Sequence, residues 1–308
     1  MKKLVLVYFF IILFLNFTKL NADKVEIVTK IGTDILTNID IENEYSYLIA
    51  LNNTYKTIED DKIYNFAKES LIKEKIKKKE LEKFFVLGKK DSYLNKKIQE
   101  IYKNLGFNNI SEFENYLQNY NLRIADIYRK IEIEIRWNEL IFNKYKNQIT
   151  INKEILKEKL ITESKNRKSF NLSELVFSIK NNSEFKKRYT KIKDSINNLG
   201  FEKSVLIHSI AASVEKSGNL GWIDEISLSK VILNELKQIK ISEITKPIKV
   251  PNGILILKLN DVKKVDKSNE NIDSDLEELI NFERNKQLTI FSSIYFNKIK
   301  NKAFIDEQ

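Results

Sequence analysis

Two hydrophobic periodicities divide the chain into three parts. From residue 23 to about residue 166, apolar residues recur mainly at helical spacing, as in Ile124, Ile127, Tyr128, Ile131 and Ile135. From Ser169 onward, the pattern changes in "FNLSELVFSI" and later in "NGILILKLNDV". In these segments apolar and polar residues alternate, or apolar residues follow one another with β-branched residues among them, which is typical of strands. Helical spacing returns after about residue 266. This order predicts a small mixed domain between two helical pieces.

The first part opens with a predicted hairpin, in which alternating apolar residues flank Gly32-Thr33-Asp34. Thr37 or Asn38 is placed to cap the following helix, with Asp40 in its first turn. The same signals predict four further helical segments: Glu59 to Phe85, ended by Gly88; one capped by Ser111 with Glu114; Ile124 to about Asn147; and about Asn152 to Glu163. These helices should pack on one another, because none has a face wide enough to be buried on all sides.

The second and third parts complete an α+β prediction. Between the two strands lie helical stretches near Glu184 to Asn198, Phe201 to Ile210 and Leu228 to Lys237, which describes a small α+β domain. A final helix is marked by a capping box of Ser274 and Glu277 and by a long apolar stripe. We therefore predict a helical core, built from residues 23–167 and a C-terminal helix within 266–308, with an inserted α+β domain at 168–265.

Residues 1–22 are expected to be a secretory signal peptide. Lys2 and Lys3 precede the unbroken apolar run from Leu4 to Leu15, and the polar stretch after it ends at Ala22, where we expect cleavage. The run is shorter than the roughly 20 apolar residues that cross a bilayer. No later run qualifies as a membrane span, so the mature protein is expected to be soluble outside the cytoplasm.

Charge and composition exclude several kinds of function. The formal charge is +10, and removal of three lysines with the signal segment leaves 10 − 3 = +7. Because lysines alternate with acids, as in "KESLIKEKIKKKELEK", they indicate solvated helix faces and not a nucleic-acid patch. The chain has no Cys and one His, and it lacks a phosphate-binding glycine loop. We expect no metal, cofactor, small-molecule ligand or nucleic acid.

A glycine-containing turn carries a family resemblance. Gly218-Asn219-Leu220-Gly221-Trp222 resembles the "GG-x-L-G-W" turn of parvulin-type peptidyl-prolyl isomerases. "NLSELVF", "FEKSVLIHS", "ISEITKPIKV" and "NGILILKLNDV" resemble, in order, the family's first strand, third helix, "GEIS-PV" stretch and closing strand. Gly218 and Gly221 are predicted to be structural, because glycine adopts positive φ and permits a close backbone approach.

The flanking parts resemble the SurA family of periplasmic chaperones for outer-membrane β-barrel proteins. The resemblance lies in "IVTKIGTDILTNIDIENEY", in "SEFENYLQNYNLRIADIYRKIEIEIRWNELIFNKYKNQI", and in the last helix with "NKAFI". It covers nearly the whole mature chain in order, with one isomerase-like domain where the best-known members carry two. This resemblance implies a periplasmic location.

The polar positions of active parvulins are not kept. By the resemblance, the first family His falls on Glu174, the Cys or Asp on Ala211, the Ser or Thr on Asn252 and the second His on Leu255. Glu174 is interpreted as a solvated edge carboxylate without a polar partner. The one histidine, His208, matches neither family position and is interpreted as a partly buried helix residue. No catalytic residue is therefore predicted.

The apolar half of the family site is kept. Leu220, Leu228 and Ile232 fall where the family lines its proline pocket, and we predict that they bind peptide together with Trp222. Ordinary burial in a core explains these leucines equally well, because pattern alone does not separate exposed from buried leucines.

These features support three alternatives. The first is a SurA-like periplasmic chaperone that holds unfolded outer-membrane or periplasmic polypeptides in an apolar groove between the helical core and the isomerase-like domain; the outer-membrane assembly machinery is a further expected partner. The second is an active peptidyl-prolyl isomerase that uses Glu174, Ser209 and Asn252. The third is a structural protein that binds no client.

Overall fold

The structure is a computed structural model that describes residues 24–89, 91–163, 167–179, 182–251, 253–265 and 272–307. The expected signal segment, residues 1–22, and Asn252 lie outside these ranges. None of the helices within them is both long and apolar enough to cross a membrane.

The predicted hairpin is confirmed. Strands β1 (Ile27–Ile31) and β2 (Asp34–Thr37) pair antiparallel, and β7 (Ile305–Glu307), from the end of the chain, pairs with the other edge of β1. Thr37 caps helix α1 (Asn38–Leu51) in a full capping box with Asp40. The first and the last strands of the described residues therefore lie in one three-stranded sheet.

The helical prediction is confirmed in type and corrected at two boundaries. The helices are α2 (Asp60–Leu81), α3 (Ser92–Asn104), α4 (Ile110–Gln118), α5 (Ile124–Tyr145) and α6 (Lys153–Glu163). Helix α2 ends at Leu81, before the predicted Phe85. The predicted capping box of Ser111 and Glu114 is wrong, because Asn109 caps α4 two residues earlier and exchanges hydrogen bonds with Glu112.

The middle of the chain forms a four-stranded antiparallel sheet with the order β4-β3-β6-β5, which confirms the α+β fold. Its elements are β3 (Lys168–Phe177), α7 (Asn182–Leu199), α8 (Phe201–His208), β4 (Asn219–Asp224), α9 (Lys230–Leu236), β5 (Ile248–Val250) and β6 (Gly253–Lys264). One face packs Leu175 and Phe177 against α7 and α8. The other face packs Leu172 and Val176 against the segment around α9. We call residues 168–264 the sheet lobe.

The last helix, α10 (Ile272–Lys300), packs on the helices of the N-terminal part. Trp137 of α5 is fully buried, stacks on Tyr295 with ring centroids 5.8 Å apart, and donates its indole N–H to Ser292 Oγ at 2.8 Å. Ser274 lies inside α10, so the predicted cap at Ser274 is wrong. Helices α1 to α6 and α10 form what we call the helical lobe.

Two buried apolar clusters contain residues of both lobes, and Phe282 of α10 also packs against the apolar core of the sheet lobe. At the first, Leu206 of α8 is fully buried with Tyr55, Ile58 and Ile63 of the helical lobe. At the second, Ile226, which follows β4, packs with three leucines of α6 and α10: Leu156, Leu160 and Leu279. Burial of apolar surface at both contacts favours one relative placement of the lobes.

A buried arginine joins the lobes near the second contact. Arg167 directly precedes β3, and its side chain is 7% exposed. Its Nε lies 2.8 Å from Asp224 Oδ2 in the sheet lobe, and its Nη2 donates to Asp275 Oδ2 of α10 at 2.6 Å. The Arg167 carbonyl also accepts the N–H of Val265 at 2.9 Å. Arg167 therefore joins the start of the sheet lobe, just before β3, to its end at Val265.

His208 ends α8 and is half-buried, as predicted. Burial, followed by the nearby Lys191, Arg188 and Lys62, lowers the pKa of His208 to about 4. Lys191 and Arg188 belong to α7, whereas Lys62 belongs to α2 of the helical lobe. The folded state therefore favours the neutral imidazole.

This shift predicts an acid-sensitive contribution to stability. Because the pKa of His208 is lower in the folded state than in the unfolded chain, its contribution is complete above about pH 6.5 and is lost as pH falls toward 4. As pH falls between these values, we expect wild type to lose about 2–3 kcal/mol of unfolding free energy relative to His208→Gln, because glutamine cannot gain the charge. This figure allows for solvent screening of a half-buried group. Urea unfolding of both proteins from pH 7 to pH 4 measures this difference. Parallel pH profiles would contradict the prediction.

Candidate functional site

The turn before β4 is fixed to the neighbouring strand by backbone hydrogen bonds. Gly218 accepts the N–H of Glu174 at 2.8 Å and donates its own N–H to the Ser213 carbonyl at 2.8 Å. Gly218 has φ +83°, and a Cβ at this position would lie 2.4 Å from the Glu174 carbonyl oxygen. Gly221 has φ +72° with open space around it. Gly218 therefore has both the positive φ and the close backbone approach that were predicted, and Gly221 has the positive φ.

An apolar cluster covers one face of the sheet beside this turn. It contains Leu172 and Val176 of β3, Leu257 and Leu259 of β6, and Leu236 of α9. Two family positions predicted to have lost their polar groups, Ala211 and Leu255, belong to the same cluster. They are 9% and 6% exposed, so the structure places them in continuous apolar surroundings.

The four residues predicted to bind peptide are not all on this face. Leu228 is buried in the cluster, and Ile232 packs against it while partly exposed. Trp222 is 41% exposed and its Cα partner is Asn171, whereas its neighbour Ile223 pairs with Phe170 of the cluster. Because side chains alternate along a strand, Trp222 faces the opposite side of the sheet.

Leu220 and Trp222 lie at an irregular part of the edge strand β4. The register between β3 and β4 shifts at Leu172 and Ser173, which leaves Leu220 without a Cα partner, and Leu220 is 37% exposed. The Lys263 ammonium lies 4.3 Å from the centroid of the Trp222 ring. Leu220 is therefore available to a ligand, whereas Lys263 lies over the Trp222 ring.

Glu174 is not a solvated carboxylate, and this interpretation of the sequence is wrong. Its side chain is half-buried, and Oε1 accepts a hydrogen bond from Ser213 Oγ at 2.9 Å. Burial raises the pKa of the Glu174 carboxyl, and the Ser213 hydrogen bond opposes part of that change. Ser213 is a site residue that sequence reasoning missed, since only the folded turn brings it to Glu174.

The other polar candidates have structural partners or lie outside the described residues. Ser209 Oγ accepts the backbone N–H groups of Val176 at 3.0 Å and Ala211 at 3.2 Å, which ties the loop after α8 to β3. Asn252 is outside the described residues. The site is therefore a mostly buried apolar cluster with the partly exposed Ile232 at its margin and one carboxylate beside it.

Comparison with known families agrees with this geometry. Residues 170–261 match the rotamase family described as the PPIC-type PPIASE domain. The sheet lobe carries a PpiC-type domain. The match includes the turn at Gly218, the apolar cluster and Glu174, and it confirms the predicted parvulin resemblance.

Individual proteins give further similarities. An 88-residue segment is 39% identical to a protein named Chaperone SurA, from Buchnera aphidicola subsp. Schizaphis graminum; this match covers 29% of the present chain and 20% of that relative. The solved peptidylprolyl isomerase PrsA of Bacillus anthracis is 21% identical, with 76% of this chain and 95% of that chain covered and a TM-score of 0.30. The foldase PrsA of Lactococcus lactis is 16% identical, with 92% and 95% covered and a TM-score of 0.30.

Proposed function

We propose that the protein is a periplasmic chaperone that holds unfolded outer-membrane proteins, and that its PpiC-type domain binds client segments without isomerising them. Delivery of clients to an outer-membrane assembly machinery belongs to the same proposal. The similarity to Chaperone SurA and the expected signal segment support the cellular setting. The binding surface in this proposal is the apolar cluster of the sheet lobe with its partly exposed neighbour Ile232, together with the exposed Leu220 on the edge strand β4.

The apolar surroundings of Ala211 and Leu255 are the observation that carries this proposal. General acid–base chemistry requires a titratable group within hydrogen-bond reach of the reacting atoms. At these two positions the chain presents only aliphatic groups, continuous with Leu228 and Ile232. Such a surface excludes water and holds proline or aromatic side chains without polar help.

A matched pair of variants tests the binding surface. Ile232→Asp places a charge on the cluster, whereas Val231→Asp changes the neighbouring side chain, which is 61% exposed. An unfolded outer-membrane β-barrel protein is diluted from urea, and light scattering follows its aggregation. We expect Ile232→Asp to need about tenfold more protein for equal protection, because a buried apolar anchor carries much of such binding. Val231→Asp should match wild type.

Two results would contradict the proposal. One is full protection by Ile232→Asp, and the other is equal loss in both variants. Circular dichroism establishes that each variant is folded. If Ile232→Asp unfolds, Leu220→Asp replaces it, because Leu220 is exposed on the edge strand and its substitution leaves the core intact.

A second candidate function is peptidyl-prolyl isomerisation, favoured by the hydrogen-bonded pair of Glu174 and Ser213 beside the apolar cluster. Rotation about an X-Pro bond crosses a barrier of about 20 kcal/mol without breaking a covalent bond, so it needs no nucleophile and is helped by polar groups beside a desolvated peptide bond. NMR exchange measured on a short X-Pro peptide with stoichiometric protein separates the two functions. Exchange no faster than in free peptide supports binding alone, and clear acceleration that is lost in Glu174→Gln supports the enzyme.

A further inference from the structure

Glu174 lies on the same face of β3 as the apolar cluster. It lies midway between Leu172 and Val176 on β3, and both of those residues belong to the cluster. Its Cα partner across the sheet, Leu257, belongs to the cluster as well. Because alternate residues of a strand share a face, the Glu174 side chain emerges beside the apolar surface.

The carboxylate of Glu174 has no cation to balance it among the described residues. Ser213 donates to Oε1, and no lysine or arginine in the described ranges forms an ion pair with either oxygen. Elsewhere, the buried Glu44 pairs with Lys130, and Asp224 pairs with Arg167. An uncompensated, half-buried carboxylate gains most from a cation that arrives with a ligand, because burial weakens solvent screening.

We propose that Glu174 selects client segments in which a lysine or arginine lies within two or three residues of the apolar side chain held by the cluster. The apolar anchor supplies attraction without sequence preference, and the carboxylate supplies the preference for positive charge. The inference rests on the proposed function, because it uses the same apolar surface. It adds the chemical class of the segment that this surface prefers.

Three peptides test the preference. Each has blocked ends, a fluorescent label, one Phe-Pro pair as the anchor, and a variable residue two positions from it: lysine, glutamine or glutamate. Fluorescence anisotropy with the full-length protein at low salt measures affinity. We expect the lysine peptide to bind about tenfold more tightly than the glutamine peptide, and the glutamate peptide to bind most weakly.

Glu174→Gln is expected to give all three peptides the affinity of the glutamine peptide. The matched control is Glu202→Gln, which removes an equal charge from an exposed position on α8 and should keep the lysine preference. Ser213→Ala provides a second variant that keeps the carboxylate. Since the Ser213 hydrogen bond lowers the pKa of Glu174, its loss should raise the pH at which the lysine preference disappears.

The possible failures are distinguishable. Equal affinity of the three peptides for wild type would overturn the inference and leave the apolar binding proposal standing, as would a lysine preference that survives in Glu174→Gln. Absence of binding by any peptide would overturn both. A pH profile identical in wild type and Ser213→Ala would show that the lysine contacts a different group, and would also overturn the assignment to Glu174.

Discussion

Arg167→Ala is expected to lower the free energy of unfolding by about 3–5 kcal/mol, because it leaves Asp224 and Asp275 without the cation that joins them. Burial already raises the pKa of the Asp224 carboxyl, and Arg167 opposes that change. In the variant the pKa of Asp224 should rise further. Urea unfolding followed by circular dichroism measures the loss, and Trp222, two residues from Asp224, reports locally by fluorescence.

Arg129→Ala is the matched control for this prediction. Arg129 also meets two carboxylates, those of Asp126 and Glu74, but its side chain is 50% exposed. Solvent screens such pairs, so its loss should cost no more than about 1 kcal/mol. Equal losses in the two variants would show that Arg167 is no more than a surface ion pair. Small-angle scattering adds a second readout, since separation of the lobes in Arg167→Ala should increase the radius of gyration.

Local sequence signals predicted most of the fold because they act within a few residues. Thr37 or Asn38 with Asp40 indicated the start of α1, and alternation indicated β3 and β6. One error lies where two local signals compete. Asn109 with Glu112 and Ser111 with Glu114 have the same spacing, and the asparagine pair caps α4 because Asn109 adopts the extended backbone that a cap requires.

The family resemblance located apolar positions near the candidate site, but the polar partner of Glu174 was missed. The resemblance to the parvulin family pointed to Leu228 and Ile232, and the structure places both at the apolar cluster of the sheet lobe. Ser213 reaches Glu174 only because the turn of residues 212–216 folds against β3, a contact between residues 39 positions apart. The placement of Trp222 on the opposite face depends on the register of β4, which shifts at Ser173. A single sequence carries no direct signal for such a shift.

Gly218→Ala should destabilise the protein by about 2–5 kcal/mol. A left-handed backbone costs a residue with a Cβ about 1–2 kcal/mol, and overpacking adds about 1–3 kcal/mol. The new Cβ would lie 2.4 Å from the Glu174 carbonyl oxygen and 2.9 Å from a methyl group of Val205. Relief of this contact requires the turn to move away from β3, which breaks the 2.8 Å bond from Glu174 N to Gly218 O.

Gly221→Ala separates the two causes, because Gly221 shares the positive φ and has no atom within 4 Å of the place that a Cβ would occupy. It should lose only about 1–2 kcal/mol, the cost of the backbone conformation alone. Thermal or urea unfolding of both variants measures the difference, and equal losses would show that the close approach at Gly218 contributes nothing. The two variants should also differ in peptide binding. Movement of the turn displaces Ser213 and releases Glu174, so Gly218→Ala should weaken the lysine preference, whereas Gly221→Ala should preserve it.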